Sequence, residues 1–175
     1  MTHPLTGTPD PSEYPPSAAD YVARASGRNV LDMLRTQIEE TAALVRSLKP
    51  EMVDHRYAPG KWTIRQIIGH LGDGERVFSY RALRFSRGDG TPLAGFDEED
   101  YVAAAPFPRV PIGDLLAELE HLRRGTIYLF QNLDEEALMR RGVANETEAT
   151  VRALAFMIAG HENHHLEILR TRYLK

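Results

Sequence analysis

Near the C-terminus the sequence Gly160-His161-Glu162-Asn163-His164-His165-Leu166 holds three of the chain's seven histidines. Imidazole is the commonest protein ligand for divalent metals, so their directions decide whether they can act together. They lie in a stretch with helical periodicity, where each residue turns by roughly 100°. Val151, Leu154, Ala155, Ile158, Ile168 and Leu169 define an apolar stripe. His165 falls near the middle of that stripe and His161 near its edge. His164 points roughly 110° away. Residues four apart stack one turn above another, so His161 and His165 can aim both rings at one point. That spacing suits two imidazoles on one metal ion. A histidine on a core stripe is also explained as a hydrogen-bonded structural residue, so the pair needs a third ligand before it defines a site.

The search for that ligand leads to an internal echo. Leu48-Lys49-Pro50-Glu51 runs through Arg56 to Thr63-Ile64-Arg65 and on to Gly69-His70. Leu133-Asp134-Glu135-Glu136 runs through Arg141 to Thr150-Val151-Arg152 and on to Gly160-His161. The second Thr-to-His interval is longer by about one helical turn. A helix-pair repeat of this kind places a histidine on each second helix, facing a shared interior. His70 then joins His161 and His165.

The elements that must position these residues are legible in order. Residues 1–16 carry five prolines and read as an extended N-terminal arm. Residues 17–175 read as a single domain, all-α, a four-helix bundle. A first helix spans about Gly27 to Leu48, with Leu31, Leu34, Ile38, Ala42 and Val45 at helical spacing. Pro50 ends it. Thr63-Ile64-Arg65-Gln66 is a capping box that opens the second, which carries Ile64, Ile67, Ile68, Leu71, Phe78, Ala82 and Phe85 on one face. Glu75 lies within that face, where a carboxylate is costly without a partner. It is either paired with an Arg or a hydroxyl, or it works at the metal site.

Residues 87–111, rich in Gly and Pro, form a long crossover connection between helices two and three. Such a segment is either a lid over a pocket or the return path that parallel neighbours require. Asp97 and Tyr101 lie in it and could approach a metal. A third helix runs from about Gly113 to Leu133, with His121 facing solvent. After a turn around Gly142, Thr150 opens the fourth. His3 and His55 fall in arm and loop and carry no role. Trp62 packs at the start of the second helix, where it could line a pocket rim. Arg65 pairs either with an acidic group in a surface salt bridge or with a substrate carboxylate, the salt bridge being the simpler account.

Composition limits the function classes. The 21 basic and 25 acidic residues give a net charge of −4, without the basic footprint of a nucleic-acid binder. No apolar run approaches the roughly 20 residues that cross a bilayer, and the N-terminus lacks the core of a signal peptide. The absence of cysteine excludes disulfides, thiolate ligands and a Cys nucleophile. A cytoplasmic location fits.

Gly60-Lys61-Trp62-Thr63-Ile64-Arg65-Gln66, followed by His70-Leu71 and then His161-x-x-x-His165-Leu166, resembles the DinB-like superfamily. The likeness is to its YfiT-like branch of metal-dependent hydrolases and bacillithiol S-transferases, and it runs from about Tyr14 to Leu174. The resemblance implies a four-helix bundle with one divalent ion, zinc or nickel, on His70, His161 and His165. It also implies small-molecule partners, among them low-molecular-weight thiols, and a homodimer.

Three neutral imidazoles leave a divalent metal its full charge and an open position. The ion can lower the pKa of water for hydrolysis, with Glu75 or Glu162 as general base. It can equally hold a thiol as thiolate, the nucleophile of sulfur transfer. The ligand set alone does not separate these readings, nor either from a non-catalytic helical module with structural histidines.

Overall fold

The computed structural model describes residues 4–175, so His3 lies outside the described residues. Four long helices build the bundle: α2 (Val30–Arg46), α3 (Ile64–Ser86), α5 (Ile112–Gln131) and α7 (Val151–Ile168). Shorter elements lie between them: α1 (Ala19–Ala25), α4 (Glu98–Ala104), α6 (Glu135–Met139), and the strands β1 (Arg141–Ala144) and β2 (Thr147–Thr150).

Helix starts follow side-chain capping. Asn29 accepts from Leu31 N and Asp32 N at the head of α2. Thr63 accepts from Gln66 N at 3.1 Å while Thr63 N donates to the Gln66 side chain at 2.9 Å, which completes the expected box. Thr150 caps α7 through Ala153 N at 3.0 Å.

Named side-chain pairs give the direction of each helix. Arg46 meets Glu120 and Arg35 meets Gln131, so α2 is antiparallel to α5. Gln37 meets Asn163 and Glu40 meets Arg170, so α2 is parallel to α7. Arg65, at the start of α3, donates to Val110 O just ahead of α5, and Glu75 meets Arg123 midway along both. These two helices are therefore parallel. His70 near His165, and Phe78 near His161, make α3 antiparallel to α7. Because α3 and α5 run the same way, the chain must return along the bundle by about 35 Å, the length of α3. Residues 87–111 do this, and they are partly structured. Their α4 buries Val102, and the turn after it buries Phe107 against Gly69, where a Cβ would stand 2.5 Å from the ring.

Three features differ from the sequence expectations. The arm has little regular structure but is strapped to the bundle. Leu5 is fully buried, Arg152 donates to Pro4 O and Thr8 O, and Arg152 pairs with Glu13 at 2.6 Å. Helix α1 packs along α7, where a Cβ on Gly160 would stand 1.8 Å from Tyr21 O. Third, the otherwise helical chain contains a hairpin, and its turn is at Asn145-Glu146 rather than Gly142. Gly142 sits inside β1 because the Phe85 ring lies over its backbone. Four residues per strand are too short for a periodic signal.

Both turn residues have positive φ, 52° at Asn145 and 61° at Glu146, as a two-residue hairpin of this hand requires. Asparagine tolerates that region and glutamate does not. Glu146→Gly is expected to raise stability by about 1 kcal/mol, measured by urea denaturation.

Candidate metal centre

His70 enters the bundle interior from the second turn of α3, and His161 and His165 enter it from successive turns of α7. All three are buried, and one ring nitrogen from each lies within 4.8 Å of the others. His70 Nε2 and His161 Nε2 are 2.9 Å apart. Two nitrogens bound at 2.0–2.1 Å to one ion stand roughly 2.9–3.4 Å apart, depending on the coordination angle. His165 Nδ1 is buried without a hydrogen-bond partner. Three convergent ring nitrogens, one buried ring nitrogen being without a hydrogen-bond partner, are a donor set that binds a divalent ion, so the residues present fit a metal.

The imidazoles are held neutral, the form that binds metal. Burial pushes His70 down to about 4, with the neighbouring His164 adding to it. Burial pushes His165 down to about 3, with His70 and His164 adding to it. His161 is pushed well below its ordinary value, first by burial and then by His165 and His70. His164 is only half-buried and stays outside the group, with its ring edge-on to Tyr21. His121 is exposed, as its position between charged residues implied, and His55 is an exposed loop residue.

The rings around the cluster shape its walls. Trp62 lies over His70 at 4.7 Å between ring centres, and its indole donates to Glu99 on α4 at 2.9 Å. The crossover is thereby tied down beside the histidines. Asp97 caps α4 and Tyr101 is 46% exposed against Phe96, so neither joins the cluster. Arg65 pairs with Asp54 through two nitrogens, at 2.8 and 2.9 Å.

Gly74 faces His161 from α3, where an added Cβ would stand 2.9 Å from Cε1 and 3.3 Å from Nδ1. A glycine within a helix costs roughly 1 kcal/mol relative to alanine, so this one is kept by packing. Gly74→Ala is expected to leave metal-free stability near or above wild type. It should weaken divalent-metal affinity about tenfold or more by turning the ring, as displacements of supporting groups do. Paired thermal melts and metal titrations separate the two effects.

Glu75 follows His70 by five residues and Glu162 follows His161 directly, and both are buried. They converge on a residue that the sequence reading did not single out, Arg123 of α5, which is 1% exposed. Its Nε and Nη2 donate to the two Glu75 oxygens at 2.9 Å each, and its Nη1 donates to Leu34 O at 3.1 Å. Glu162 Oε2 stands 2.6 Å from Nη2 but off the hydrogen-bonding direction, so that contact is an ion pair. Glu162 Oε1 accepts from Thr41 on α2. Burial alone would lower the Arg123 pKa, but Glu162 and Glu75 reverse this and raise it. One guanidinium thus ties all four bundle helices together next to the histidines. The signal was present in the sequence, since Arg123 falls on the apolar face of α5 with Leu115, Leu119 and Phe130.

Two cavities reach the cluster. One of about 310 Å³ exposes His70 and His161 and is walled by Tyr21, Phe78, Arg81 and Asn145. Another of about 270 Å³ exposes His165 and is walled by Trp62, Glu99, His164 and Tyr173.

The sequence profile of the DinB superfamily matches residues 33–169. A protein of Oceanobacillus iheyensis named as a candidate metal-dependent hydrolase is 29% identical over 138 residues, which covers 78% of this chain and 79% of its own. Among solved structures, YfiT from Bacillus subtilis is described as a candidate metal-dependent hydrolase with an unusual four-helix bundle topology. It matches with a TM-score of 0.70 at 18% identity, over 97% of this chain and 95% of its own. A mycothiol-dependent maleylpyruvate isomerase matches at 0.65 with 13% identity, over 78% of this chain and 57% of its own. At these identities the structural likenesses show the fold.

Proposed function

The chain belongs to the DinB superfamily, and from that premise we propose a metal-dependent S-transferase that joins a low-molecular-weight thiol to a small electrophile. His70, His161 and His165 would hold one divalent ion, zinc or nickel. When bound, such an ion acts as a Lewis acid that lowers the pKa of a coordinated thiol or water.

The observation that carries this reading is that the histidine cluster lines two separate cavities, His70 and His161 one and His165 the other. Two entrances suit two reactants held next to each other. In the transfer, the carbon–sulfur bond forms as the leaving group departs with its electron pair, and the thiol proton goes to water. No protein base is required. Hydrolysis is the second reading and the one in the relatives' names. Both carboxylates are engaged by Arg123, and Glu162 also by Thr41, so hydrolysis here would rely on the metal-lowered pKa of water rather than on Glu75 or Glu162 as a base. Trp62 and Phe78 keep the cluster's walls apolar. A cytoplasmic setting accords with this proposal, since thiols there are kept reduced. No helix of the described residues is long and apolar enough to cross a membrane.

The test is conjugation of cysteine or a cysteinyl pseudo-disaccharide thiol to monochlorobimane by metal-loaded protein. Turnover that depends on thiol and is lost in His165→Ala supports the transfer. Cleavage of p-nitrophenyl esters without thiol, abolished by chelation, together with no conjugation, would establish hydrolysis instead.

A further inference from the structure

Among the described residues, Arg81 is the one arginine or lysine lining the cavity that His70 and His161 also line, and it forms no ion pair there. It follows His70, Gly74 and Phe78 at spacings of four, four and three, so all four share a face of α3. Side chains on a helix lean towards its N-terminus, which tilts Arg81 back over Phe78 and into the cavity. Its guanidinium carbon is 5.8 Å from the centre of the Phe78 ring and 5.9 Å from that of Phe96. Its polar contact is a long 3.3 Å hydrogen bond to Ala94 O.

A guanidinium has five N–H donors in a planar fork, and this one leaves most of them unused. It is also partly desolvated, and burial lowers its pKa. A charge in such a place costs stability unless something compensates it. The two aromatic faces supply part of that compensation. Glu98 also lines the cavity but is exposed and forms no ion pair with Arg81.

We propose that Arg81 binds a carboxylate on the substrate whose reacting end lies at the histidines, so that the substrate is an anionic small molecule. This rests on the reading of the histidines as a metal site. The Phe78 ring links the two ends, with its centre 5.8 Å from the Arg81 guanidinium carbon and 6.0 Å from the His161 ring. The eleven residues from His70 to Arg81 rise about 16 Å, part of which the side chains close, so a ligand must be elongated to touch both ends. Fork-shaped donors match a carboxylate in two parallel hydrogen bonds.

The probes are 6-mercaptohexanoate and neutral 6-mercaptohexanol, equal in length and both ending in a thiol. Binding to zinc-loaded protein is followed by calorimetry. Wild type is expected to prefer the carboxylate at least tenfold. Arg81→Gln should reduce that preference to under threefold while leaving zinc content and mercaptohexanol binding unchanged, and Arg81→Lys should restore part of it. An unchanged preference in Arg81→Gln overturns the proposal. So does competition by inorganic phosphate at lower concentration than by acetate, which would make the anion a phosphate. A second readout does not need the metal. Propionate should shift the Arg81 Nε–H resonance of metal-free protein, and no shift up to 50-fold excess over protein counts against the proposal. If zinc fails to bind while this shift is present, the metal reading falls and the anion site stands.

Discussion

Arg123→Leu is expected to destabilise the protein by about 3–5 kcal/mol, a large share of the stability of a domain this size, and to unfold much of it at 37 °C. The cause is the two carboxylates left behind rather than the lost contact itself. Glu75 and Glu162 are 3% and 1% exposed, and Arg123 is the cation that holds both. Without it, each must either take up a proton or remain a buried, uncompensated charge. The loss should therefore be smaller at pH 5 than at pH 8, because protonation relieves the strain. Urea denaturation at both pH values checks the sign. Replacing all three residues with apolar ones of similar volume should recover most of the stability, since an intact buried ion network contributes little net. If Arg123→Leu melts within a degree of wild type, the network is not what joins the four helices.

His161→Ala carries the largest functional expectation. Removing one of three ligands should lower divalent-metal affinity more than about 100-fold, beyond the 10–100-fold typical of losing a supporting partner. The fold should persist, because the surroundings of His161 are mainly the rings of Tyr21, Phe78 and the other two histidines. The contrast can be read without any substrate. Zinc at 100 times its dissociation constant should stabilise wild type by about 2.7 kcal/mol and leave His161→Ala almost unmoved. His164→Ala should respond like wild type. An equal zinc shift in His161→Ala would remove that residue from the ligand set.

The long elements and the histidine cluster were legible in sequence for one shared reason, namely that a repeating pattern reports which face of a helix is buried. The helical periodicity that sets His164 apart from His161 and His165 uses nothing else, and the Thr63 capping box needs four consecutive residues. What periodicity does not report is which buried faces meet. Glu75 was legible as a buried carboxylate, but its partner lies 48 residues away on a helix whose direction relative to α3 depends on the crossover. Nothing in the pattern therefore marks Arg123 as that partner, although it sits on an apolar stripe. The hairpin at Arg141–Thr150 is too short to repeat, and its turn has Asn-Glu in place of the usual Asn-Gly. The arm's prolines correctly suggest irregular backbone, but they say nothing of Arg152 and Glu13, which strap it to α7. Arg81 was likewise one charge among many on α3 until the cavity beside the histidines identified its surroundings.

If His70, His161 and His165 hold one divalent ion, elemental analysis of untagged wild-type protein and of His70→Ala, each purified without added metal, should find close to one zinc or nickel per wild-type chain. His70→Ala should carry less than a tenth of that, with equal helical content by circular dichroism. Wild-type protein that holds no stoichiometric metal, even after incubation with zinc and with nickel, would contradict it. So would a His70→Ala protein that retains the wild-type amount.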